Sequence, residues 1–283
     1  MEYAECWSKL KHTLRELQIG TGDMVYVASD VTLLLAEARK KYQVKTASQR
    51  DTFLNEFVDI LQKIVGIHGT LLFPVFTWDF CRGKGFDAKT TQGEVGAFNN
   101  WILNKRADFS RTQHPIYSFM VWGNCAEDLL KLDNVDAFGP DSPFAYIHRH
   151  CGKMILLNVS LQRGFTFMHY VEASIRVPYR YMKNFRGRYK NIQGSVSERS
   201  YTMYVRDLAI ESQEYIPDEM LENRGIVSVA DWGNLTLKVF SLSEAYSIVE
   251  DDLLHNKGRQ CYKFANYELE WGKGATHEDD LGN

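Results

Sequence analysis

Apolar side chains recur along the chain at two spacings, one typical of helices and one typical of strands. Trp7, Leu10, Leu14 and Leu17 follow the helical period and predict a first amphipathic helix. Residues 24–28, MVYVA, form a short continuous apolar run that is expected to be a buried strand. The chain is therefore predicted to begin with a helix followed by a strand.

A second helix is predicted to begin near Ser48, because Ser48 and Asp51 have capping-box spacing, with aspartate in place of the usual glutamate. Six apolar residues then supply its core-facing stripe: Phe53, Leu54, Phe57, Ile60, Leu61 and Ile64. Residues 70–75 indicate the next strand, and residues 98–103 indicate another helix. Helices and strands thus alternate along the first part of the chain.

Ser142 and Pro143 mark the start of a further helix, since a hydroxyl at the N-cap is followed by proline at the first helical position. That helix should end near Gly152. Residues 153–159 then read as a buried strand, and residues 166–175 as a helix that Pro178 ends.

The last third of the chain alternates apolar and polar positions at residues 201–206, 225–229 and 235–240, as strands of a half-solvated sheet do. Ser241 and Glu244 open a final helix, by the same capping argument. The expected architecture is α/β: layered helices around a mixed, partly antiparallel sheet.

Domain organisation follows from length and composition. With 283 residues and 45% hydrophobic content the chain can bury one large core, and it contains neither a repeat nor a long linker. We expect one domain over residues 1–266 and a disordered polar tail over residues 267–283, since the end of the chain is glycine-rich and acidic.

Charge and cysteine usage exclude several classes of function. A net charge of -3 argues against a general nucleic-acid binder. The five cysteines are scattered without a CxxC pair and favour a reducing compartment, so a cytoplasmic location is expected. No apolar run approaches the ~20 residues of a membrane-spanning helix, and no metal site is expected. A homo-oligomer is compatible with the sequence.

The chemically most suggestive pair is His169 and Glu172. On a helix, residues three apart share one face with Cβ atoms ~5–6 Å apart, so the carboxylate can fix the tautomer of the imidazole and support its protonated form. A surface histidine beside a glutamate is the commoner explanation of such spacing. However, residues 164–173 are mostly apolar and follow a buried strand, which is where α/β folds bind ligands. The pair is therefore a candidate general base with its orienting partner.

The chain resembles the aminoglycoside 3-N-acetyltransferase family, in the broad sense that includes enzymes acting on other amino compounds. Five segments in order carry the resemblance: GTLLFPVFT (69–77), RTQHPIYS (111–118), FGPDSPF (138–144), GKMILLNV (152–159) and TFMHYVE (166–172). Together they span the chain from about Gly20 to Phe240. The resemblance implies N-acyl transfer from acetyl-CoA or a related thioester, with His169 as general base. The chain also lacks the glycine-rich fingerprints of dinucleotide and nucleoside-triphosphate sites.

The resemblance also implies residues that bind the cofactor. Where the family usually shows His-Ser-Ser-Leu, this chain has Ala-Ser-Asp-Val at residues 28–31 and retains Ser29. Thr77 and Ser118 are expected to offer hydroxyls to pantetheine or to the thioester oxygen, although ordinary turn hydroxyls are as good an explanation of each. Arg111 is expected to contact the phosphates, with a structural ion pair as the competing interpretation.

The acceptor is a small-molecule amino sugar in this interpretation. Asp141 is a candidate for binding its ammonium group, although aspartate in Gly-Pro-Asp-Ser-Pro is also a common turn residue. Residues 176–190 carry no acidic residue, so Arg180 and Arg186 are candidates for binding phosphates of an anionic acceptor. A nucleotide-linked amino sugar of polysaccharide biosynthesis would fit. A solvated or CoA-facing strip explains the segment equally well.

Three other functions stay open at this level. The chain could be an aminoglycoside antibiotic 3-N-acetyltransferase that confers resistance. Alternatively, the altered loop at residues 28–31 favours a non-catalytic CoA-binding scaffold protein. A hydrolase with Cys151 as nucleophile is a further alternative, although the position of Cys151 between a helix and a buried strand favours a packed, inert thiol.

Overall fold

The computed structural model describes residues 3–265 and 269–271. Its α-helices, in chain order, are α1 (Ala4–Glu16), α2 (Thr32–Tyr42), α3 (Ala47–Val65), α4 (Ala97–Lys105), α5 (Ala126–Lys131), α6 (Pro143–Arg149), α7 (Leu161–Gly164), α8 (Phe167–Ile175), α9 (Glu219–Glu222) and α10 (Leu242–His255). Its strands are β1 (Met24–Ser29), β2 (Thr70–Pro74), β3 (Phe86–Asp87), β4 (Ser110–Arg111), β5 (Phe119–Gly123), β6 (Lys153–Leu157), β7 (Arg180–Lys190), β8 (Val196–Arg206), β9 (Ser212–Glu214), β10 (Ser228–Trp232), β11 (Leu235–Ser241) and β12 (Tyr262–Phe264).

The main sheet of the described residues has the strand order β10-β11-β6-β1-β2-β5-β4. Its three central strands are parallel, since β1 pairs in parallel with both β2 and β6. The flanking pairs are antiparallel. The predicted α/β fold with a mixed, partly antiparallel sheet is therefore confirmed.

Helices cover both faces of this sheet, and β1 shows why. Val25 and Val27 point into a core that includes Trp7 of α1 and Phe57 of α3, whereas Tyr26 points into a second core on the opposite face. Successive side chains of a strand alternate between faces, so a continuous apolar run is buried on both. The result is a layer of helices, a sheet and a second layer of helices.

Two smaller sheets complete the described fold. The strands β7 and β8 form an eleven-residue antiparallel hairpin that runs from the pair Arg180 and Arg206 to the pair Lys190 and Val196, and β3 pairs with β7. A two-stranded ribbon joins β9 and β12. The basic segment of residues 176–190 thus forms mostly a strand, which its charge pattern did not predict.

Local capping chemistry sets several helix boundaries. As predicted, Ser142 caps α6 through a bond from the Ala145 amide to its hydroxyl, and Pro143 begins the helix. The prediction for α3 was wrong by two residues. Its capping box is Thr46 with Gln49, because the Thr46 hydroxyl accepts from the Gln49 amide and the Gln49 side chain accepts from the Thr46 amide. The sequence prediction also missed α2, part of which lies in the charged connection before Thr46.

The packed part of the chain extends beyond the boundary predicted at residue 266. The ring of Trp271 lies 5.7 Å from that of Tyr179 and 6.2 Å from that of Phe264, measured between centroids. The rest of the predicted polar tail, residues 267–268 and 272–283, lies outside the described residues. No helix within the described ranges is long and apolar enough to cross a membrane.

Candidate active site

The imidazole of His169 and the carboxylate of Glu172 are in contact on α8. The Nδ1 atom of His169 lies 2.7 Å from Oε2 of Glu172. The side chain of Glu172 is completely buried, whereas 21% of the His169 side chain is exposed. The expected arrangement is therefore present: a carboxylate in the interior holds an imidazole whose opposite edge can reach a ligand.

Two residues from the start of the β7 hairpin complete the surroundings of Glu172. The Nε atom of Arg180 lies 2.9 Å from Oε2, and the Tyr179 hydroxyl donates to Oε1 at 2.9 Å. Burial by itself would raise the pKa of Glu172, but the nearby Arg180 cation and the bond from His169 outweigh it and lower that pKa to about 2. Glu172 is thus an ionised buried carboxylate.

This ionisation fixes the tautomer of His169. An ionised carboxylate can only accept, so the proton in the 2.7 Å contact must belong to Nδ1. The Nη2 atom of Arg180 lies 3.1 Å from Nδ1, but a guanidinium can only donate, so this approach is not a hydrogen bond when Nδ1 carries the proton. With the proton on Nδ1, Nε2 of the neutral ring carries a lone pair. That is the form of imidazole that can act as a general base.

A second layer of contacts holds Arg180 in place. Its Nη2 atom donates to the Tyr262 hydroxyl at 3.1 Å, and that hydroxyl donates to Glu214 at 3.1 Å. Burial raises the pKa of Tyr262 well above its ordinary value, and that of Tyr179 likewise, so both keep their protons. Sequence reasoning missed this network because β9 and β12 are remote from α8 along the chain.

These contacts correct the role predicted for Arg180. Its side chain is 8% exposed, and its charge is compensated by Glu172 and, at 3.8 Å, by Glu214. A guanidinium held in this way is not available to bind a phosphate of the acceptor. Arg180 instead stabilises the ionised carboxylate of Glu172, which contacts His169.

A cavity of ≈ 630 Å³ opens at the carboxyl ends of β1, β2 and β6. Its walls include Ser29 at the end of β1, Asn158 after β6 and Gly96 before α4. The strands β2 and β6 lie on opposite sides of β1, so the order of the strands reverses its direction at β1. Ligands of α/β proteins bind at such a switch point. Thr166 also lines the cavity, and its carbonyl accepts from the amide of His169 at 3.0 Å. The cavity therefore reaches the N-cap of the helix that carries the candidate base, whereas His169 itself is not among the residues that line it.

Of the predicted cofactor-binding residues, Ser29 lines this cavity. Its Oγ atom is enclosed and has no hydrogen-bond partner in the described part of the chain. Thr77 lies behind the wall, because its hydroxyl donates at 3.1 Å to Glu94, a lining residue that also accepts from the Trp78 amide at 2.8 Å. Thr77 thus positions Glu94 rather than facing the cavity.

Arg111 and Ser118 lie in the protein interior and do not line the cavity. The guanidinium donates to the Ser118 hydroxyl at 2.9 Å and to the carbonyls of Thr91 and Val75 at 2.5 and 3.1 Å. Burial lowers the pKa of Arg111 to about 10. We therefore interpret both residues as structural. Arg111 is bound by carbonyl and hydroxyl oxygens instead of cofactor phosphates or a carboxylate, and the Ser118 hydroxyl is bonded to Arg111 and Val75 instead of pantetheine.

The two remaining predicted acceptor-binding residues are on the surface. Asp141 is exposed in the turn after Phe138, whose ring centroid is 6.0 Å from that of His169. Arg186 is exposed on β7, and no carboxylate of the described residues lies within ion-pair distance of it. Both side chains are free to meet a ligand, but neither touches the His169 and Glu172 pair.

Cys151 is not the packed thiol that the sequence suggested. It is exposed, with a left-handed backbone conformation at φ 50° just after α6. A residue in this conformation ends a helix, which explains its position before β6.

An ionised buried carboxylate, an oriented imidazole and a cavity at the switch point of an α/β sheet together form a candidate site for acid/base chemistry. The family model for aminoglycoside 3-N-acetyltransferase matches residues 43–253. The chain belongs to the aminoglycoside 3-N-acetyltransferase family.

Individual relatives agree with this assignment. The aminoglycoside N(3)-acetyltransferase IX of Micromonospora chalcea is 26% identical over 188 residues, which are 59% of this chain and 61% of that protein. The solved structure of aminoglycoside acetyltransferase AAC(3)-IIb superposes with a TM-score of 0.68 at 20% identity, over 87% of this chain and 96% of that one. The structure of AAC-IIIb with CoASH gives 0.68 at 16% identity, over 88% and 96%. At these identities the likeness to the solved structures establishes the fold.

Proposed function

We propose that this protein is an N-acetyltransferase that moves the acetyl group of acetyl-CoA to an amino group of a sugar-like acceptor. The observation that carries the proposal is the 2.7 Å contact between Nδ1 of His169 and the buried, ionised Glu172. It leaves Nε2 of His169 able to act as the general base, three residues after Thr166, which lines a cavity large enough for a substrate.

The reaction follows from the chemistry of amines. At neutral pH an ordinary amine is protonated and cannot attack, so a proton must be removed before or during bond formation. The ammonium group first loses one proton to solvent, and Nε2 of His169 takes a second proton as the neutral amine nitrogen forms a bond to the thioester carbonyl carbon. Glu172 stabilises the imidazolium. Collapse of the tetrahedral intermediate breaks the carbon–sulfur bond, and the proton on His169 can pass to the departing CoA thiolate.

The cavity has features that suit acetyl-CoA as the donor. A volume of ≈ 630 Å³ lies within the usual range for small-molecule sites. The unpartnered hydroxyl of Ser29 offers a polar contact of the kind that pantetheine amides can make. Arg163 is an exposed cation on the cavity wall and can bind the phosphates. The related AAC-IIIb was solved with CoASH.

For the acceptor, we propose an anionic amino sugar, of which a nucleotide-linked sugar is one form. The support is the exposed face of β7, where Arg186 and Arg188 have no carboxylate of the described residues within ion-pair distance. Lys190 on the same strand does not contribute, since it pairs with Asp87 at 2.8 Å. Two adjacent free arginines favour phosphate groups.

A polycationic aminoglycoside is the second candidate acceptor, and a specific observation favours it. Asp136 and Asp141 flank Phe138, whose ring contacts His169. Burial, and secondarily the nearby Asp141 charge, raises the pKa of Asp136. Mutual repulsion of two carboxylates would be relieved by an ammonium group between them.

The test is thiol release from acetyl-CoA with a panel of acceptors: amino sugars, their nucleotide-linked forms and aminoglycosides. Release that requires an amine and is lost in His169→Gln would support the proposal. Binding of CoA without release under any acceptor would contradict it and favour the scaffold alternative. Release without an amine, abolished by Cys151→Ser, would favour a hydrolase instead.

A further inference from the structure

The first turn of α4 forms one wall of the cavity, and Asn99 within it has an unused acceptor. Asn99 is only 3% exposed. Its Nδ2 atom donates to the Val95 carbonyl at 2.9 Å, whereas its Oδ1 atom has no partner among the described residues. Because the Val95 carbonyl can only accept, the amide nitrogen must face it, and the oxygen is the atom left for a ligand.

A buried carbonyl oxygen without a donor costs folding free energy, so an empty acceptor on a cavity wall indicates a ligand that brings a donor. Two further features lie beside it. The N-cap of α4 is Gly96, which has no side chain that could cap the helix. The amide groups of the first turn are therefore not bonded to an N-cap side chain. The Oγ atom of Ser29, on the same cavity, is also buried and unpartnered.

The acceptor on Asn99, the amide groups of α4 and the hydroxyl of Ser29 together favour one chemical group in the ligand. Helix N-termini often bind phosphate, but a fully ionised phosphate has no hydrogen to donate and would face the oxygen of Asn99. A secondary amide fits better, since its N–H can donate to Asn99 while its carbonyl accepts from the Ser29 hydroxyl or from an amide of α4. Pantetheine carries two such amides.

Glycine at position 96 leaves room for the side chain of Asn99. Its φ is +74°, a conformation that favours glycine, and a Cβ there would lie 2.9 Å from Nδ2 of Asn99. A side chain at this position would therefore displace Asn99 from its bond to Val95.

We propose that Asn99 selects the acyl donor, with its Oδ1 accepting the N–H of one pantetheine amide and thereby placing the thioester along the cavity. The assignment rests on the proposed use of acetyl-CoA. It adds a positioning residue that makes no contact with the reacting atoms.

The experiment compares CoA with two analogues in which one or the other pantetheine amide N–H is replaced by an ester oxygen, using calorimetric binding to the wild type and to Asn99→Leu. The wild type should bind one ester analogue about 10-fold or more weakly, because a hydrogen bond is replaced by two facing acceptors. Asn99→Leu should bind CoA more weakly and should not distinguish that analogue from CoA.

Asn100 provides the matched control. Its side chain is satisfied within the protein, since it accepts from the Gly93 amide at 2.7 Å and donates to the Gly93 carbonyl at 2.8 Å. Asn100→Leu should retain the discrimination between CoA and the ester analogue, even if the protein becomes less stable.

Equal binding of CoA and both analogues by the wild type would overturn the assignment, as would discrimination that persists in Asn99→Leu. Because these experiments measure binding directly, a failure of the Asn99 assignment can be distinguished from a failure of the proposed acetyltransferase function. Discrimination without acetyl transfer to any amine would leave Asn99 as assigned and contradict the acetyltransferase.

Discussion

Arg180 places Nε 2.9 Å from Oε2 of Glu172, and this contact joins the β7 hairpin to the candidate base. The carboxylate can stay ionised in the interior because a fixed cation accompanies it. As a result, the proton on Nδ1 of His169 is held by a charged acceptor without exposing Glu172 to water. The basic strand therefore supports the His169 and Glu172 pair at its first residue and exposes Arg186 and Arg188 further along.

His169→Gln should lower kcat by ~10²–10⁴-fold, the usual contribution of a positioned general base. The glutamine amide can still donate to Glu172, so the circular dichroism spectrum and the affinity for CoA should be almost unchanged. Steady-state thiol release measures the effect. A variant that folds, binds CoA and retains more than about a tenth of the wild-type rate would exclude His169 as the base.

Glu172→Gln should reduce kcat less than His169→Gln, because the amide keeps the side-chain volume and can still accept a bond from Nδ1. Removing the negative charge disfavours the imidazolium, so the acidic limb of the pH–rate profile should move to lower pH. The measurement is kcat/KM against pH for wild type and variant. A limb that moves to higher pH would contradict the role assigned to Glu172.

Glu172 should also govern stability in acid. Its pKa in the folded protein, about 2, is below the ordinary value of 4.5. Stability from its ionisation is therefore complete above pH 4.5 and is lost as the pH falls from 4.5 towards 2. In Glu172→Gln, the buried Arg180 loses its partner, and the free energy of unfolding at pH 7 should fall by about 3–5 kcal/mol.

Urea unfolding between pH 2 and pH 7 tests this expectation. The variant should show a smaller loss of stability over the acidic range than the wild type, since it lacks the titrating group. Glu219→Gln serves as the control, because Glu219 is exposed in the first turn of α9. A variant at Glu172 as stable as this control at pH 7 would refute the buried ion pair.

The double substitution Arg186→Glu and Arg188→Glu should raise the KM for an anionic acceptor steeply and leave the KM for acetyl-CoA unchanged. The two side chains are exposed, so the melting temperature should change little. Asp141→Asn should have the opposite specificity and weaken only polycationic acceptors. If the double variant uses its best anionic acceptor as well as the wild type does, the anionic-acceptor proposal is wrong.

Local signals account for what the sequence could predict. The contact of His169 with Glu172 requires only a helix and a spacing of three, and the cap at Ser142 requires only its own first turn. Ser29 was placed by the resemblance, and it lines the cavity. The same reasoning could not tell on which side of the sheet a matched residue faces, so Arg111 was assigned to the cofactor although it lies in the interior.

The partners of Glu172 could not be predicted for a different reason. They depend on how the chain turns back after α8 and on where the ribbon of β9 and β12 docks. Nothing in the local pattern around Arg180 indicates a carboxylate, since the nearest one in space is eight residues away on another element. Asn99 gave no signal either, because only a buried oxygen without a donor distinguishes it from an ordinary helix residue.

The bond between Arg180 and the Tyr262 hydroxyl spans 82 residues of sequence and ends on β12, the last strand of the described chain. During synthesis, the residues of α8 leave the ribosome well before Tyr262 does. A chain that ended before β12 would therefore contain the His169 and Glu172 pair and the Arg180 side chain, but it would lack the Tyr262 hydroxyl that accepts from Arg180.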